Sequence, residues 1–505
     1  MRELLEFIGS NWDGTLRHNV NDEDTLIGLP KPYTVPSIND RFNELYYWDT
    51  YFTNLGLILS DKLDYAINNT ENIAYLIDKY GFMPNGNRKE YLNRSQPPFF
   101  TLMVRDIYNL TGDKKWLAKM YKTAEKEYNF WQTKRTTPTG LNRYYHNLSR
   151  DDEATVRESA ECLCRRYGLE MPEDYSDVYS YAENIRIVCE SGWDCNSRFG
   201  MHNRDFNWID LNSLLYCMEE NMAFFATELK NSRGILWEAR ASRRLALLNK
   251  YCWNEEAGMF SDYDFVNGVQ SNFLSLASFY PLFAGIANDE QAAKTVANLY
   301  RLEQEFGVAC CEYREDLMGL QWDYPHGWAP LHYMLIDGLL RYGYVTEAER
   351  IARKYCAVVE NNFVKTGNIW EHYDTVTGEV SVTKEKNGQY TMMGWSAGVY
   401  LCCRELISAV EAEANGEQEA NAEAPEAPET VEAPEAPEAP EEAVEAEETP
   451  EAVEAPEAPE APAEAVEAEE APEAPEALEA PEAVEAPEAP VTVEAPEATA
   501  EAPEI

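Results

Sequence analysis

The sequence predicts an all-α fold, an α/α toroid whose loops carry the functional residues. Apolar residues recur with helical spacing along most of the first 410 residues, whereas the apolar/polar alternation of strands is scarce. Long, aromatic-rich segments separate the helices, and a simple helical bundle does not need connections of that kind. The two observations together favour a toroid over a bundle.

Eight segments of the chain show clear helical periodicity. In Lys62–Tyr80, apolar side chains such as Ile73 and Ile77 fall on one face of a helix. The other predicted helices are Pro98–Leu110, Trp116–Trp131, Leu211–Leu229, Leu236–Tyr251, Glu290–Phe306, Trp328–Tyr344 and Thr346–Asn361. Asn-Gly pairs and prolines punctuate the segments between them, as expected for loops.

The composition changes abruptly near Glu411. Residues 411–505 contain 33 glutamates and no Lys, Arg, Asp or aromatic residue. Such a segment cannot bury enough apolar surface to offset chain entropy, so we expect a disordered tail that proline and charge repulsion keep extended. We therefore predict an N-terminal lead-in over 1–28, a helical domain over 29–410 and a tail over 411–505.

The charge of the chain lies mostly in this tail. The 505 residues include 90 acidic and 42 basic side chains, and removing the 33 tail glutamates leaves 57 acidic side chains in residues 1–410. A moderately acidic body is unsuited to binding nucleic acid through bulk charge. The sequence has no run of about 18 apolar residues, so we expect no membrane span.

Eleven cysteines are scattered through the chain, and paired CxxC units of the kind that bind zinc are missing. An odd number of cysteines in apolar surroundings predicts reduced, buried thiols and a cytoplasmic location. The first residues, Met1–Gly14, contain no apolar stretch of signal-peptide length, which fits that expectation.

The predicted loops concentrate aromatic, amide, Arg and acidic residues. They include Arg41–Phe52, Pro84–Phe100, Glu190–Phe199, Gln321–Pro330 and Asn368–Asp374. A polyhydroxylated ring needs this combination, because its apolar faces stack on aromatic rings and its hydroxyls need paired donors and acceptors. The loops therefore indicate a carbohydrate site.

Two loop carboxylates stand beside tryptophans, Asp194 after Trp193 and Glu371 after Trp370. Two carboxylates in different surroundings can divide the roles of acid and base. Each dipeptide alone is more often a packed tryptophan beside a solvated or capping acid. Arg198 could simply pair with Asp194 or Glu190 as structural support. The recurrence of similar loops between helices is what favours the functional interpretation.

Several segments resemble the signatures of the trehalase family of glycosidases. QWDYPHGWAP (Gln321–Pro330) is similar, position for position, to the family's second signature, and RFNELYYWDTYF (Arg41–Phe52) resembles the first. Six further segments occur in the family's order, namely LPKPYTVP, PNGN, NRSQPPFF, ESGWD, DLNSL and WE-x-YD. The resemblance spans Leu29 to Leu401.

This resemblance implies a toroid of six helical hairpins that hydrolyses α,α-trehalose to glucose with inversion, as a monomer and without cofactor or metal. It implies Asp194 as general acid and Glu371 as general base. The substrate-binding residues that it implies are Arg41, Trp48, Asp49, Asn85, Arg94, Gln96, Arg157, Glu158, Gly192, Trp193, Gln321, Trp322 and Asp323. Trp328 is expected to pack behind them.

The chain departs from the family pattern in three places. Ile38-Asn39-Asp40 stands where Pro-Gly-Gly is usual, and Lys384–Gly398, with Gln389, replaces a glycine-rich lid. Val156–Ser159 represents an R-P-E-S segment with its Arg displaced by one position, which is why Arg157 and Glu158 are assigned to the site. Alternatives to trehalose hydrolysis are therefore hydrolysis of another small α-glucoside, carbohydrate binding without catalysis, or an interaction protein dominated by its tail.

Overall fold

The structure is a computed structural model that describes residues 2–38, 42–381, 390–391 and 393–423. The predictions for Arg41, for the segment around Gln389 and for the tail beyond 423 lie outside these residues. The last described helix runs to Glu423 and so passes the predicted boundary at 410.

The described residues are mostly helical. The helices are α1 Arg2–Asn11, α2 Tyr47–Leu59, α3 Leu63–Tyr80, α4 Phe100–Thr111, α5 Lys114–Lys134, α6 Glu153–Tyr167, α7 Tyr175–Ser191, α8 Ile209–Glu228, α9 Gly234–Tyr251, α10 Tyr280–Ala284, α11 Asp289–Ala297, α12 Ala329–Arg341, α13 Val345–Thr366 and α14 Gly394–Glu423. None of these helices is long and apolar enough to span a membrane.

The strands are short and form local antiparallel ribbons. They are β1 Leu16–Arg17, β2 Tyr33–Thr34, β3 Phe206–Asn207, β4 Trp253–Asn254, β5 Met259–Phe260, β6 Tyr263–Asp264, β7 Val269–Gln270, β8 Glu303–Gln304, β9 Gly307–Val308, β10 His326–Trp328 and β11 His372–Asp374. The ribbon that matters for the site joins β10 to β11, with Trp328 opposite His372.

Six helices contact one another in a closed cycle. The order is α2, α4, α8, α10, α12, α14 and back to α2, and α3, α5, α9 and α13 pack against this ring. Glycines allow the closing contact between α14 and α2, because a Cβ on Gly398 would collide with the carbonyl oxygen of Phe52. The predicted all-α class with a toroidal arrangement agrees with this cyclic packing.

Aromatic side chains pack between the ring helices α2 and α12. Tyr51 stacks on Phe99 with ring centroids 4.8 Å apart, and Tyr333 lies edge-on to Phe52 at 5.9 Å. Trp48 and Asp49 precede this layer on α2 by about one helical turn. The site residues on α2 therefore lie on the N-terminal side of this aromatic layer.

Most of the predicted helices are present, with ends shifted by a few residues. The segment Glu290–Phe306 is an exception, because α11 ends at Ala297 and the hairpin β8–β9 follows. Gly307, with φ of 137°, adopts a conformation that a helix excludes. The segment Arg41–Phe52 was interpreted as a loop, but its second half begins α2, which is buried on nearly all sides and so shows no amphipathic period.

Truncation after Glu423 is expected to leave the melting temperature unchanged, because residues 424–505 contain no aromatic or basic side chain. Truncation after Leu401 is the matched control. It removes the buried side chains of Cys403 and Ile407 and should lower the melting temperature. Thermal denaturation of both chains checks this, and a lower melting temperature for the first truncation would contradict it.

Candidate active site

One cavity of about 310 Å³ collects most of the predicted site residues. Its lining includes Trp48, Asp49, Asn85, Arg94, Gln96, Gly192, Asp194, Gln321, Trp322 and Glu371. A larger cavity of about 710 Å³ lies near Asp106 and Asp337, but its described lining contains no tryptophan and none of the predicted residues. The smaller cavity is therefore the candidate active site.

The loop that carries Asp194 begins where α7 ends. Gly192 caps α7 with φ of 76°, a left-handed conformation that glycine adopts without strain. A Cβ at this position would lie 2.8 Å from the indole of Trp48. Gly192 therefore serves the site through its backbone, because it lets the chain turn toward Asp194 and lets Trp48 approach.

The fully buried carboxylate of Glu190 holds two walls of the cavity together. It accepts hydrogen bonds from the backbone nitrogens of Ser95 at 2.8 Å and Tyr145 at 2.6 Å. Arg135 neutralises it with contacts at 2.6 and 2.8 Å. Because Ser95 lies between Arg94 and Gln96, this interaction fixes that segment to α7.

Two amide side chains lock the same walls to α2 and α7. The Gln96 side-chain oxygen accepts a hydrogen bond from the Trp48 backbone nitrogen at 3.2 Å. The Asn85 amide donates to the carbonyl oxygen of Cys189 at 3.1 Å. Their remaining polar atoms are the ones available to sugar hydroxyls.

Asp323 was predicted to bind substrate, but it does not line the cavity. It is fully buried and accepts hydrogen bonds from the backbone nitrogen and hydroxyl of Ser197 at 2.8 and 2.6 Å, and from Leu320. Asp323 therefore ties the segment carrying Trp322 to the loop carrying Asp194. A buried carboxylate needs such donors, and this need explains the departure from the prediction.

Trp193 was also predicted to bind substrate, and it too lies outside the cavity lining. It is 1% exposed and packs on Trp322 with ring centroids 5.6 Å apart. Trp322 in turn stacks on Trp328 at 3.9 Å, and Trp328 stacks on His372 at 4.0 Å. Trp322, Trp328 and His372 thus form a ladder of nearly parallel rings, and Trp193 supports it at an interplanar angle of 32° to Trp322. Trp328, which the sequence places behind the pocket, lines the cavity together with Trp322.

The two predicted catalytic carboxylates differ in exposure. The Asp194 side chain is 34% exposed and its Oδ2 lies 3.4 Å from Nη1 of Arg166. The Glu371 side chain is 8% exposed and its Oε2 lies 3.3 Å from Nδ1 of His372. Asp194 therefore stands on the more open side of the cavity and Glu371 on the more enclosed side.

A third carboxyl group, Asp49, lies on the first turn of α2 and lines the same cavity. Burial raises the pKa of Asp49 to about 8, and the negative charges of Glu371 and Asp194 add to the increase. A carboxyl group with this pKa is mostly protonated at neutral pH, so Asp49 can donate a hydrogen bond to a sugar hydroxyl.

The raised pKa of Asp49 makes stability depend on pH. Between about pH 4, the pKa of the unfolded chain, and about pH 8, the folded protein keeps a proton that the unfolded chain releases. The free energy of unfolding of the wild type, relative to Asp49→Asn, is therefore expected to fall as pH rises, by at most about 1.4 kcal/mol per unit. Urea unfolding of both proteins at pH 5.5 and 7.5 measures this difference, and parallel pH curves would contradict the assignment.

Arg157 and Glu158 are not at the cavity. Both are exposed on α6, so the prediction that they bind substrate is not supported by the structure. Arg166, about two and a half turns later on α6, lines the cavity instead, together with Cys162 on the same helical face. The motif match in α6 therefore selected the solvent-exposed face of the helix. The spacing of four between Cys162 and Arg166 is the sequence signal that identifies the face toward the cavity.

Other lining residues were also missed. They are Pro36, Phe42, Tyr46, Tyr91, Ile185, Arg186, Cys189 and Trp395. Arg198 was expected to pair with Asp194 or Glu190, but it binds Asp262 at 2.7 Å through Nε and Asp210 at 2.9 Å through Nη2. Arg198 is therefore a structural residue below the site.

One family of known proteins matches nearly the whole of the helical part of the chain. Residues 8–408 match the sequence profile of the family described as Trehalase. The chain belongs to the trehalase family. It is thus a glycoside hydrolase of mainly helical fold, and the family resemblance seen in the sequence is confirmed.

Trehalases from several organisms are similar over most of the chain. The periplasmic trehalase of Xanthomonas oryzae pv. oryzae (strain MAFF 311018) is 34% identical over 441 residues, which cover 81% of this chain and 74% of the relative. That of Escherichia coli O1:K1 / APEC is 33% identical over 446 residues, covering 81% and 75%. The structure of neutral trehalase Nth1 from Saccharomyces cerevisiae matches with a TM-score of 0.63 and 31% identity, covering 82% of this chain and 81% of that one.

The expected cytoplasmic location is wrong, because these bacterial trehalases are named periplasmic. All eleven cysteines are free and nine of them are buried. A free cysteine behaves as a small apolar side chain, and a packed core is its usual position. The reduced cysteines of this trehalase-family chain therefore report burial and carry no information about its compartment.

Proposed function

We propose that this protein hydrolyses α,α-trehalose to two glucose molecules with inversion, with Asp194 as general acid and Glu371 as general base. The observation that carries the proposal is that both carboxylates line one aromatic-walled cavity. Its volume of about 310 Å³ suits a small sugar ligand. The names of the related trehalases support trehalose as the substrate.

In the proposed reaction, Asp194 gives its proton to the glycosidic oxygen as the bond from that oxygen to the anomeric carbon breaks. Glu371 takes a proton from a water that attacks the same carbon from the other face of the ring. The exposure of the two groups fits these roles, because the leaving sugar departs toward the open side, where Asp194 lies. The enclosed position of Glu371 suits a base that acts on one held water.

The remaining lining residues would hold the attacked ring. Trp48 and Trp322 offer aromatic faces, and Asn85, Arg94 and Gln96 offer hydrogen bonds to hydroxyls. Asp49, whose pKa is raised to about 8, adds a donor in its protonated form. The protein is expected to act as a monomer without cofactor or metal.

An inverting enzyme needs room for water between its base and the anomeric carbon. We therefore expect the carboxyl groups of Asp194 and Glu371 to stand roughly 6.5–9.5 Å apart, against about 5–5.5 Å in a retaining enzyme. The first product from the attacked ring should be β-glucose. Proton NMR of freshly formed product distinguishes the two cases, and an initial α-anomer signal from that ring would show that the enzyme retains configuration.

A further inference from the structure

The cavity of about 710 Å³, here called the second cavity, lies within the ring of helices. Five of the six helices in the cycle contribute to its lining, namely α2, α4, α8, α10 and α12. Trp328, just before α12, lines the active-site cavity, Tyr333 on α12 belongs to the aromatic layer, and Asp337, about one turn later, lines the second cavity. The second cavity is therefore on the opposite side of the aromatic layer from the active site.

Two carboxyl groups in the second cavity have no direct partner. Asp106 on α4 and Asp337 on α12 accept no hydrogen bond from a described residue and form no salt bridge with one. Burial raises the pKa of both carboxyl groups, that of Asp106 to about 7, and the charge of Asp337 adds to the increase for Asp106. Keeping such groups from bulk water without donors costs free energy. The second cavity therefore contains hydrogen-bond acceptors that the folded chain leaves unsatisfied.

The second cavity also contains donors without acceptors. Nε of Arg105 is buried and has no hydrogen-bond partner in the described part of the chain. Nη1 of Arg105 makes one long hydrogen bond, of 3.4 Å, to the side-chain oxygen of Asn221. The guanidinium lies over the ring of Phe224, 3.4 Å from its centroid, and this contact holds it in place. Arg341, on α12, has neither a hydrogen bond nor a salt bridge to a described residue.

The active-site cavity and the second cavity offer the same kinds of side chain. Carboxyl, guanidinium and amide groups occur beside aromatic rings in both. Two further carboxylates, Glu220 and Glu238, line the second cavity but are exposed to solvent. An ion in the second cavity would meet charges of both signs. A hydroxyl group both donates and accepts, so a ligand with several hydroxyls satisfies the free acceptors and the free donors together.

We propose that the second cavity binds a neutral sugar, a mono- or disaccharide, at a site separate from the active site. The rings of Tyr51 and Tyr333, with centroids 6.0 Å apart, provide an aromatic surface for the apolar face of a sugar. The volume of about 710 Å³ is within the range of small-molecule sites. The inference does not rest on the catalytic roles of Asp194 and Glu371, because neither of them lines this cavity.

Equilibrium dialysis against radiolabelled D-glucose tests the inference. The double variant Asp106→Leu/Asp337→Leu removes both free acceptors and is expected to bind one glucose fewer per chain than the wild type. Its melting temperature should be no lower, because replacing an unpaired buried carboxyl group by an apolar side chain removes a cost. A purely structural role of the two carboxyl groups would instead lower the melting temperature and leave the number of bound glucose molecules unchanged.

Asp64→Leu is the matched control, because Asp64 is exposed on α3 and lines neither cavity. It makes the same change of side chain and should bind as much glucose as the wild type. If the double variant does not fold, a crystal structure of the wild type with D-glucose shows whether a sugar lies beside Asp106 and Asp337. Only water in that place would overturn the inference.

A folded double variant that binds as many glucose molecules as the wild type would overturn the inference. Dialysis against putrescine tests the other ligand class that carboxyl groups and aromatic rings could hold. Binding of putrescine that the double variant loses, without a loss of glucose, would assign the cavity to an organic cation and overturn the inference. Failure of the proposed function is seen separately, as absence of trehalose hydrolysis by the folded wild type.

Discussion

Replacing Asp194 by Asn is expected to lower kcat on trehalose by about 10²–10⁴-fold, because an amide cannot protonate the departing sugar oxygen. The loss should be much smaller on α-glucosyl fluoride, since fluoride leaves without needing a proton. Glu371→Gln should lose activity on both substrates, because both reactions need an activated water. The difference between the two substrates is what separates the acid from the base.

Glu158→Gln is the control for this comparison. It makes the same change from carboxylate to amide as Glu371→Gln, at a family-motif position that is exposed and away from the cavity. Its activity should equal that of the wild type. Circular dichroism establishes that each variant is folded. An Asp194→Asn protein with near wild-type kcat on trehalose would refute the assignment of the acid.

Replacing Arg198 by Met should reduce the free energy of unfolding by about 3–5 kcal/mol, the usual cost of removing one partner from a buried ion pair. The Arg198 side chain is 1% exposed and contacts Asp262 at 2.5 Å through Nη2 and Asp210 at 2.9 Å. Burial already raises the pKa of Asp210 even though Arg198 opposes it. Without the guanidinium, two buried carboxyl groups would face each other uncompensated.

Arg204→Met is the matched control, because the Arg204 side chain is 52% exposed and pairs with Glu183 at 3.1 Å. The Glu183 carboxylate is buried but keeps Tyr145 and His146 as partners, so losing the half-exposed Arg204 should cost less than about 1 kcal/mol. Denaturant unfolding measures both losses. The triple variant Arg198→Met/Asp210→Asn/Asp262→Asn should recover part of the stability by removing the unpaired charges. A loss for Arg198→Met no larger than that of the control would show that Arg198 is dispensable.

The ordered motifs were enough to predict ten of the residues that meet at the cavity, because each motif carries its functional side chains in one short stretch of the chain. The prediction of helices from periodicity was weaker where a helix is wholly buried. Residues Tyr47–Asn54 of α2 are all buried, so the chain there shows no polar face from which a helical period could be recognised. Some of the aromatic residues that indicated a loop belong to that helix and pack against other aromatic rings.

Contacts between distant segments account for the predictions that the structure changed. Asp323 resembled a substrate ligand, but its donors on Ser197 lie 126 positions away in the chain. Arg198 has a carboxylate four positions before it, at Asp194, yet its partner Asp262 lies 64 positions after it. Whether a carboxylate faces the cavity or supports it from behind depends on donors that folding brings together, which no local motif encodes.

By itself, the sequence determined the helical class, the family and the short list of side chains from which the site is built, because periodicity and motif order are local properties of the chain. Only the tertiary structure decided which of them face the cavity. On α6, the turn of the helix carries Arg157 and Glu158 to the solvent and Arg166 to Asp194. The packing of α6 on α7 sets that rotation. Burial of the apolar face of α6 against α7 fixes the direction in which each polar side chain of α6 points.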